Sequence, residues 1–360
     1  MKIVIYVSDS SDPRFNLAAE EIMFDRTVPG QVTLFLWQNE RTVVIGKSQN
    51  AWNEARVEKL RSDGGVLVRR PSGGGAVYHD LGNMCYTFVC SPELYSLPRQ
   101  LKVILNAVKA CGIDAEFTGR NDIVTPDGRK FSGNAFRFSG SAALMHGTLL
   151  IHTDFSRMSE YLSVPKAKIE AKGVSSVRSR VANLSEINPE ITVERVKTDM
   201  IRAFLDEYQP GNVGPDGSRN TTAADAFPVL SVCEKELLSG SGNVFFSELP
   251  EKYSKYDSWE WTYGSTPRFN FENEKKFDWG LVRTELFVEN GTICSAAVYS
   301  DAMDADLGQL FSGALSGTRF DRISVSEKAV AAAAALSAGG YAIADTSKVA
   351  ADIVSLLFGD

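Results

Sequence analysis

A run of three glycines, Gly73 to Gly75, follows two arginines in the segment RRPSGGGAVYHD. Glycine has no Cβ, so the backbone N–H groups of such a loop can approach a phosphate or a carboxylate closely, and Arg70 can add a charge-assisted contact. A glycine run between strands can equally be a flexible turn. The loop alone therefore leaves anion binding open.

The loop matches neither familiar nucleotide motif, because G-x-x-x-x-G-K-S/T is absent and no G-x-G-x-x-G opens a helix. A second candidate is Lys130, which is followed closely by Ser132 and Gly133. A strand lysine beside such small residues can reach an anion without a bulky neighbour. Its local sequence alone favours a solvated lysine at a strand edge.

Histidine and cysteine give weaker signals. His79, His146 and His152 are not spaced as a metal-binding pair on one helix face, which predicts structural or pocket-lining roles for the first two. Cys85 and Cys90 lie in one predicted strand at an odd separation, so they point to opposite faces and are predicted to be core residues, not nucleophiles. No Ser-His-Asp order stands out.

The composition limits the classes of protein to which this chain can belong. With 360 residues, 44% of them hydrophobic and 23% charged, the chain is predicted to be a soluble globular protein of two domains. A net charge of -7 argues against a non-specific grip on nucleic acid. Five cysteines without a CxxC pair favour a reducing cytoplasm over a disulfide or zinc framework. We find no signal peptide and no membrane-spanning run.

The elements that must position these residues form a β-then-α pattern. We predict strands over Lys2–Val7, Val32–Trp37, Thr42–Ile45, Gly65–Arg70, Ala76–His79, Met84–Cys90, Ala115–Val124, Lys130–Phe138 and Ala142–Ile151. We predict one helix that starts at Asp12-Pro13 and three more over Asn53–Arg61, Leu97–Cys111 and Thr192–Tyr208. The pair Val32–Trp37 and Thr42–Ile45 is predicted to form a hairpin. The resulting sheet is expected to be mixed and largely antiparallel.

The remainder is predicted to hold a flexible insertion and a small α+β domain. Gln209–Ala226 is rich in Gly, Asn, Asp, Ser and Thr without periodicity, which indicates a loop. An aromatic strand region is expected near Trp259, with a hairpin turn at Glu289-Asn290-Gly291 and a helix over Val325–Ala338. We place the start of this domain near residue 255, and we find no internal repeat.

Taken together, these stretches resemble the lipoate–protein ligase A family, within the biotin/lipoyl protein ligase fold group. The matching segments are DSSDPRFNLAAEE, LFLWQNERTVVIGKSQN, RRPSGGGAVYHDLGN, TGRNDI, RKFSGNAF, HGTLLI, GVSSVRSRVANL and, more weakly, SWEWTYG. The resemblance implies an α+β fold, with a catalytic domain over residues 1–250 and an accessory domain over residues 255–360. Pro71, Asn134 and a long Gln209–Lys252 region depart from the common pattern.

The resemblance also implies the site residues. Lys130 and Arg70 would be catalytic, and the residues that contact ATP or the lipoyl-adenylate would be Arg70, Gly73, Gly74, Gly75, Ala76, Val77, Tyr78, Asn83, Asp122 and Lys130. The lipoate pocket would contain Trp37, Val44, Ser72, His79, Gly133, His146 and Leu149. Asp122 would contribute to binding Mg²⁺, with Asn121 as an alternative.

The implied activity is ATP-dependent: lipoate becomes lipoyl-AMP with release of pyrophosphate, and the lipoyl group passes to a lysine of a lipoyl domain, in an E2 subunit of a 2-oxoacid dehydrogenase or in the glycine-cleavage H protein. Two alternatives stay open. An octanoyl or lipoyl transferase of the same fold would need a reactive cysteine and no ATP. A non-catalytic lipoate-binding protein would have less need for both Arg70 and Lys130.

Overall fold

The structure is a computed structural model that describes residues 1–118, 121–163, 181–209, 227–263, 271–336 and 345–359. Its strands are β1 (Lys2–Ser8), β2 (Gln31–Trp37), β3 (Thr42–Ile45), β4 (Val66–Arg69), β5 (Val77–His79), β6 (Asn83–Cys90), β7 (Glu116–Thr118), β8 (Asp122–Val124), β9 (Lys130–Phe138), β10 (Ala143–Leu150), β11 (Val229–Val232), β12 (Phe271–Phe277), β13 (Gly280–Glu289) and β14 (Thr292–Ser300).

The helices are α1 (Pro13–Asp25), α2 (Ala51–Glu54), α3 (Val57–Ser62), α4 (Leu97–Ala110), α5 (Phe155–Tyr161), α6 (Val193–Tyr208), α7 (Glu234–Leu238), α8 (Leu249–Asp257), α9 (Trp259–Tyr263), α10 (Leu307–Leu315), α11 (Arg322–Ala335) and α12 (Thr346–Phe358), with 3-10 turns at Pro92–Leu94, Leu184–Glu186 and Val244–Phe246. None of the helices in the described part of the chain is long and apolar enough to cross a membrane.

An eight-stranded sheet has the order β11-β1-β2-β6-β10-β9-β8-β7. The pairs β11–β1 and β1–β2 are parallel, and the remaining pairs are antiparallel. The prediction of a mixed, largely antiparallel sheet is confirmed. Strands β2 and β6 are buried along their whole length, which places the sheet at the centre of this part of the protein.

Helix α1 connects the parallel strands β1 and β2, and it begins where the sequence predicts. The Asp12 carboxylate accepts a hydrogen bond from the backbone N–H of Arg14, and Pro13 occupies the first helical position. Every residue from Phe15 to Phe24 is buried, including Asn16, Glu20 and Glu21. Polar groups buried on such a helix need partners, since an unpaired one destabilises the fold.

The predicted hairpin between β2 and β3 is wrong, although both strands exist. Both edges of β2 are occupied, by β1 on one side and by β6 on the other, so β3 cannot pair with it. Strand β3 instead lies at the centre of a second sheet of order β4-β3-β5.

Two predicted elements differ in the structure, and local hydrogen bonds account for each difference. The helix predicted over Asn53–Arg61 is interrupted, because Ala55 is extended and the N–H of Arg56 donates to the carbonyl of Tyr161. The strand predicted near Trp259 is helix α9, whose start is capped by the Ser258 hydroxyl accepting from the N–H of Trp261.

A third sheet, β12-β13-β14, forms the C-terminal part with α10, α11 and α12. Its predicted turn is confirmed: Asn290 and Gly291 both have positive φ, 50° and 74°, as a two-residue hairpin turn requires. The predicted C-terminal helix is confirmed as α11. One apolar core, which includes Val282, Phe311 and Ile353, joins the sheet to the helices.

The chain divides into two compact units. Unit 1 contains the described residues of Met1–Thr42, His79–Ser156 and Val174–Tyr256, and unit 2 contains those of Val43–Tyr78, Arg157–Gly173 and Asp257–Asp360. The predicted boundary between residues 250 and 255 stays a prediction. Outside the described residues lie the predicted loop at 210–226, Gly119 and Arg120 of TGRNDI, Gly264 of SWEWTYG and most of GVSSVRSRVANL.

Candidate active site

The amino group of Lys130 lies in unit 1 at the start of β9, beside the antiparallel strand β8. Its Nζ atom is 2.7 Å from Oδ1 of Asp122, and both side chains are about one-third exposed, 35% and 39%. Asp122 is the register partner of Gly133. A Cβ at Gly133 would lie 2.7 Å from Lys130 Nζ, so the missing side chain provides the space in which the ammonium group sits.

Asparagine side chains tie β9 to the residue before β8. The backbone N–H of Asn134 donates to the carbonyl of Asn121 at 2.8 Å, and the Asn121 amide returns a bond to the carbonyl of Asn134 at 3.2 Å. The buried Tyr86 hydroxyl donates to Asn134 Oδ1 at 2.5 Å. Asn134, which departs from the family pattern, therefore fixes the backbone around the Lys130–Gly133 segment.

A buried chain of hydrogen bonds connects three strands of unit 1 to helix α1. Trp37 Nε1 on β2 donates to Thr87 Oγ1 on β6 at 3.0 Å, and Thr87 donates to Glu20 Oε1 at 2.6 Å. His146 Nδ1 on β10 lies 2.8 Å from the same carboxylate oxygen. This oxygen of Glu20 therefore links Thr87 to His146 and fixes the orientation of the imidazole ring.

The same region holds His79, Leu149 and Asn83. His79 Nδ1 lies 3.1 Å from the amide nitrogen of Asn39, and its ring meets the Trp37 indole edge-on, with centroids 6.2 Å apart. Leu149 is fully buried on β10. Asn83 opens β6, also fully buried, and donates to Cys85 Sγ at 3.4 Å. Aromatic, aliphatic and hydrogen-bonding groups are thus combined as in a small-molecule pocket.

Sequence reasoning missed Glu20 and Thr87, which join the predicted residues Trp37 and His146. A signal was present in the AAEE part of the opening segment, where Glu20 lies one turn after Asn16 on a helix otherwise rich in buried apolar residues. The second oxygen of Glu20 is buried, and no residue in the described part of the chain donates a hydrogen bond to it. It is an acceptor that a ligand or water can use.

Arg70 and the glycine loop belong to unit 2. The guanidinium of Arg70 donates to the carbonyls of Gly73, at 2.6 Å, and Gly75, at 2.8 Å, and to Ser72 Oγ at 3.1 Å. A further bond of 3.2 Å runs to the carbonyl of Val44. The predicted residues Val44, Ser72, Gly73 and Gly75 are therefore gathered around Arg70, which folds the loop around its own side chain.

The first two glycines of the loop approach the end of β14 within unit 2. The N–H of Gly74 donates to the carbonyl of Ala302 at 2.8 Å. A Cβ at Gly73 would lie 2.6 Å and 2.5 Å from the carbonyl oxygens of Ala302 and Met303, too close for any side chain. Glycine is required here by close backbone contact, as the anion-binding interpretation supposed, although the contact is with the protein's own chain.

The end of the loop, from Ala76 to Tyr78, has few polar side chains. Ala76 and Val77 are half-buried, and Tyr78 is buried in an apolar cluster where its ring lies 5.5 Å from that of Tyr161. Their backbone groups, rather than their side chains, are the parts suited to contacting a nucleotide.

The cysteines and the possible metal ligands bear on two other kinds of chemistry, thiol catalysis and metal binding. Burial raises the pKa of the Cys85 thiol well above its ordinary value and that of Cys90 to about 12, so neither is a ready nucleophile. In the described residues, no group of three His, Cys, Asp or Glu side chains is arranged to hold a metal ion.

Two family models match the chain. Residues 12–205 match the lipoyl protein ligase A/B catalytic domain, and residues 266–337 match the C-terminus of bacterial lipoate protein ligase. The chain is 37% identical over 328 residues to lipoate-protein ligase A of Psychrobacter cryohalolentis, which covers 91% of this chain and 92% of that protein.

Solved structures of similar fold agree with these matches. P. falciparum LipL1 in complex with lipoate has a TM-score of 0.78 and 28% identity, covering 98% of this chain and 99% of that one. A bi-partite lipoate protein ligase from Thermoplasma acidophilum, described with its E2 lipoyl domain, has a TM-score of 0.59 and 25% identity, covering 75% of this chain and 100% of that one.

Proposed function

The chain belongs to the lipoyl protein ligase A/B family, and from that premise we propose that it is an ATP-dependent lipoate–protein ligase. It activates lipoate as lipoyl-AMP, releasing pyrophosphate, and then transfers the lipoyl group to a lysine of an acceptor protein. Residues 1–250 act as the catalytic domain and residues 255–360 as the accessory domain, a division supported by the separate family matches over 12–205 and 266–337.

The observation that carries this proposal is the buried hydrogen-bonded chain Trp37–Thr87–Glu20–His146. It orients Trp37 and His146 from two different strands, and Trp37 also contacts His79. Such a rigid combination of an indole, imidazoles and aliphatic Leu149 suits an apolar acyl tail that ends in a polar group. We assign the lipoate pocket to these residues and Gly133, all of which belong to unit 1. The assignment of Val44 and Ser72, which lie around Arg70 in unit 2, stays a prediction.

The first half-reaction joins two anions, so its main requirement is positive charge and backbone donors. A lipoate carboxylate oxygen attacks the α-phosphorus of ATP, and the bond from that phosphorus to the bridging oxygen of pyrophosphate breaks. Lys130 Nζ, which is accessible above Gly133, binds the lipoate carboxylate and an α-phosphoryl oxygen. Arg70 and the N–H groups of Gly73–Val77 bind phosphate oxygens after exchanging their internal partners for the ligand, and Asn83 contributes an amide.

Magnesium fits these residues in a limited way. The ion is bound by one or two carboxylates plus phosphate oxygens and water, so a single carboxylate, Asp122, is sufficient, with Asn121 adjacent. When bound, Mg²⁺ would neutralise charge on the phosphates. Asp122 would then exchange its ion pair with Lys130 for the metal, which leaves the ammonium group available to the substrate.

In the second half-reaction, a neutral lysine amine of the acceptor attacks the carbonyl carbon of lipoyl-AMP, AMP leaves, and the nitrogen loses a proton to form the amide. The Thermoplasma relative is described with an E2 lipoyl domain. We propose lipoyl domains of E2 subunits and the glycine-cleavage H protein as acceptors here. All five cysteines are free, which supports a cytoplasmic setting.

The transferase alternative is disfavoured because it needs an accessible thiolate beside the acyl pocket, and the exposed Cys294 lies on β14 in unit 2. Cys85 and Cys90 are buried in β6, and burial raises the pKa of both. The pure lipoate-binding alternative leaves the exposed amino group of Lys130 and its Gly133 space without a role.

Intact-mass spectrometry of an apo lipoyl domain tests the proposal. Incubation with the protein, lipoate and Mg²⁺ is expected to add one lipoyl mass only when ATP is present. A mass gain without ATP from an acylated carrier protein would establish the transferase, and no gain in either reaction, with lipoate still bound, would leave a binding protein.

A further inference from the structure

Unit 2 contains a cavity of about 510 Å³, which the proposed reaction does not use. Its wall is formed by the segment after β3, by Arg69, by α9, by the edge strand β14 and by α10. The residues lining it are Lys47, Ser48, Gln49, Arg69, Glu260, Trp261, Ala296, Ala297, Val298, Tyr299, Gly308, Gln309, Ser312, Gly313 and Ser316. Its volume is within the range of small-molecule sites.

Arg69 places a buried positive charge in this wall. Its guanidinium is held by carbonyl oxygens, including those of Gln49 at 2.6 Å and Thr262 at 2.7 Å. No carboxylate forms an ion pair with it anywhere in the described part of the chain. Burial lowers its pKa to about 10, so the group stays charged at neutral pH. Carbonyl dipoles stabilise this cation but leave its net charge uncompensated.

Gln49 adds an unused donor. The residue is 1% exposed, and its Oε1 accepts from the N–H of Gly46 at 2.8 Å. Its Nε2 is buried and meets no hydrogen-bond acceptor among the described residues. A buried amide NH₂ without an acceptor destabilises a protein unless water or a ligand satisfies it. The cavity that Gln49 lines is the space from which such an acceptor can come.

The charges of the cavity favour an anion. Two lining residues, Lys47 and Arg69, are cationic, and Glu260 is the one carboxylate among the lining residues. The cavity therefore has an excess of positive charge, in contrast to the net charge of -7 of the whole chain. Lys47 Nζ is 2.5 Å from Asp306, a rim contact exposed to solvent. Residues of α10 also line the cavity, among them Gly313, where a Cβ would meet no atom within 4 Å.

We propose that this cavity is a binding site for a small organic anion, with a carboxylate or phosphate oxygen bonded to Gln49 Nε2 and an apolar or aromatic part against Trp261 and α10. The site is distinct from the lipoate pocket of unit 1 and does not depend on the proposed reaction. A medium-chain carboxylate and a nucleoside monophosphate share this chemistry, and the two are separated experimentally.

Fluorine NMR of the full chain labelled with 5-fluorotryptophan tests the site with octanoate and AMP as probes. The five tryptophan signals are assigned by single Trp→Phe substitutions. Binding in the cavity is expected to shift the Trp261 signal saturably, and occupation of the lipoate pocket shifts that of Trp37. The probe that moves Trp261 identifies the class of ligand. The Trp37 signal reports the proposed function separately.

Two isosteric variants serve as controls, one that adds a negative charge and one that removes a negative charge. Gln49→Glu keeps an oxygen for the N–H of Gly46 but replaces the donor with an anion, and it is expected to weaken the Trp261 response about ten-fold or more. Glu260→Gln, at an exposed position that does not endanger folding, removes the opposing carboxylate and is expected to tighten binding about two- to five-fold.

Each remaining result overturns the proposal. A Trp261 signal that neither probe moves at concentrations up to about 10 mM, where even a weak site would fill, excludes the site. Equal affinity in the wild type and Glu260→Gln, or weaker binding in Glu260→Gln, excludes recognition of an anion whether or not Gln49→Glu folds.

Discussion

The ammonium nitrogen of Lys130 lies 2.7 Å from Oδ1 of Asp122 and occupies the space that a side chain at position 133 would fill. An exposed ion pair of this kind contributes only about 0–1 kcal/mol to folding. The pair therefore holds the Lys130 ammonium group in place while contributing little to the stability of the fold. An incoming anionic substrate can replace Asp122 without unfolding the strand.

Replacement of Lys130 by alanine is expected to lower lipoate-dependent pyrophosphate release about 100-fold or more, since it removes the charge that stabilises the developing transition state. The melting temperature is expected to stay within about 2 °C of the wild type, because the side chain is partly exposed and its ion pair contributes little. Lys109→Ala, at an exposed position on α4, is the matched control. Wild-type pyrophosphate release in Lys130→Ala would refute its catalytic role.

The space at position 133 can be tested by adding one methyl group. Gly133→Ala places a Cβ 2.7 Å from Lys130 Nζ and 2.9 Å from its Cε, both at the mobile end of a side chain. We expect activity to fall about ten-fold while stability changes by less than about 1 kcal/mol. Gly140→Ala, where a Cβ meets no atom within 4 Å, is the control. Equal activity in the two variants would show that the position of Lys130 is unimportant.

Glu20→Gln tests the buried polar chain. The glutamine keeps one oxygen that can accept from Thr87 or His146 but replaces the other oxygen with an NH₂ group, so the KM for lipoate is expected to rise about ten-fold with the KM for ATP unchanged. Glu40→Gln, on an exposed connector, is the control. An equal rise in both KM values would indicate general disorder of unit 1 instead of a defect in the lipoate pocket.

Asp122→Asn separates metal binding from positioning of Lys130. If Asp122 binds the Mg²⁺ that accompanies ATP, the Mg²⁺ concentration for half-maximal adenylation is expected to rise about ten-fold or more. Titrations of pyrophosphate release against Mg²⁺ measure it. A lower maximal rate with an unchanged Mg²⁺ midpoint would assign Asp122 to Lys130 alone.

Glu21 predicts an acid-sensitive contact between α1 and α8. Burial by itself would raise its pKa, but hydrogen bonds from Lys255, Tyr256 and Lys252 together with the Lys255 charge outweigh it and lower the pKa to about 2. A carboxyl with a lowered folded-state pKa stabilises the fold above its unfolded value of 4.5 and loses that contribution as the pH falls from there to about 2.

The contribution of Glu21 is on the order of 3 kcal/mol at neutral pH. Glu21→Gln is therefore expected to be less stable than the wild type at pH 7, with the difference shrinking below pH 4.5. Urea unfolding at several pH values measures both free energies. A constant difference across this range would show that the carboxylate charge contributes nothing.

Local signals in the sequence were sufficient for much of the fold. The Asp12-Pro13 cap, the Asn290-Gly291 turn and the strand that begins at Lys130 all depend on residues within a few positions, and each is confirmed. Strand pairing is set by distant residues instead. Nothing in Gln38–Arg41 indicates that the edges of β2 are taken by β1 and β6.

The candidate site likewise contains residues whose relation is visible in the local sequence and residues that only distant partners place. Lys130 and Gly133 are three positions apart in one segment, so the small residues near the lysine were visible in the sequence. Glu20 could not be placed, because its partners Thr87 and His146 follow it by 67 and 126 residues. An apolar helix with a buried carboxylate indicates that some partner exists, but the tertiary structure decides which one.

The division into units has a consequence for biosynthesis. Residues 43–78 are grouped with residues 257–360, and Gly74 bonds to Ala302 near the end of the chain. At synthesis rates of about 5–20 residues per second, the RRPSGGG segment is synthesised roughly 10 to 35 seconds before residue 257. This segment cannot complete its packing during that interval. A nascent or truncated chain ending before Ala302 would present it unpacked, as a substrate for chaperones and proteases.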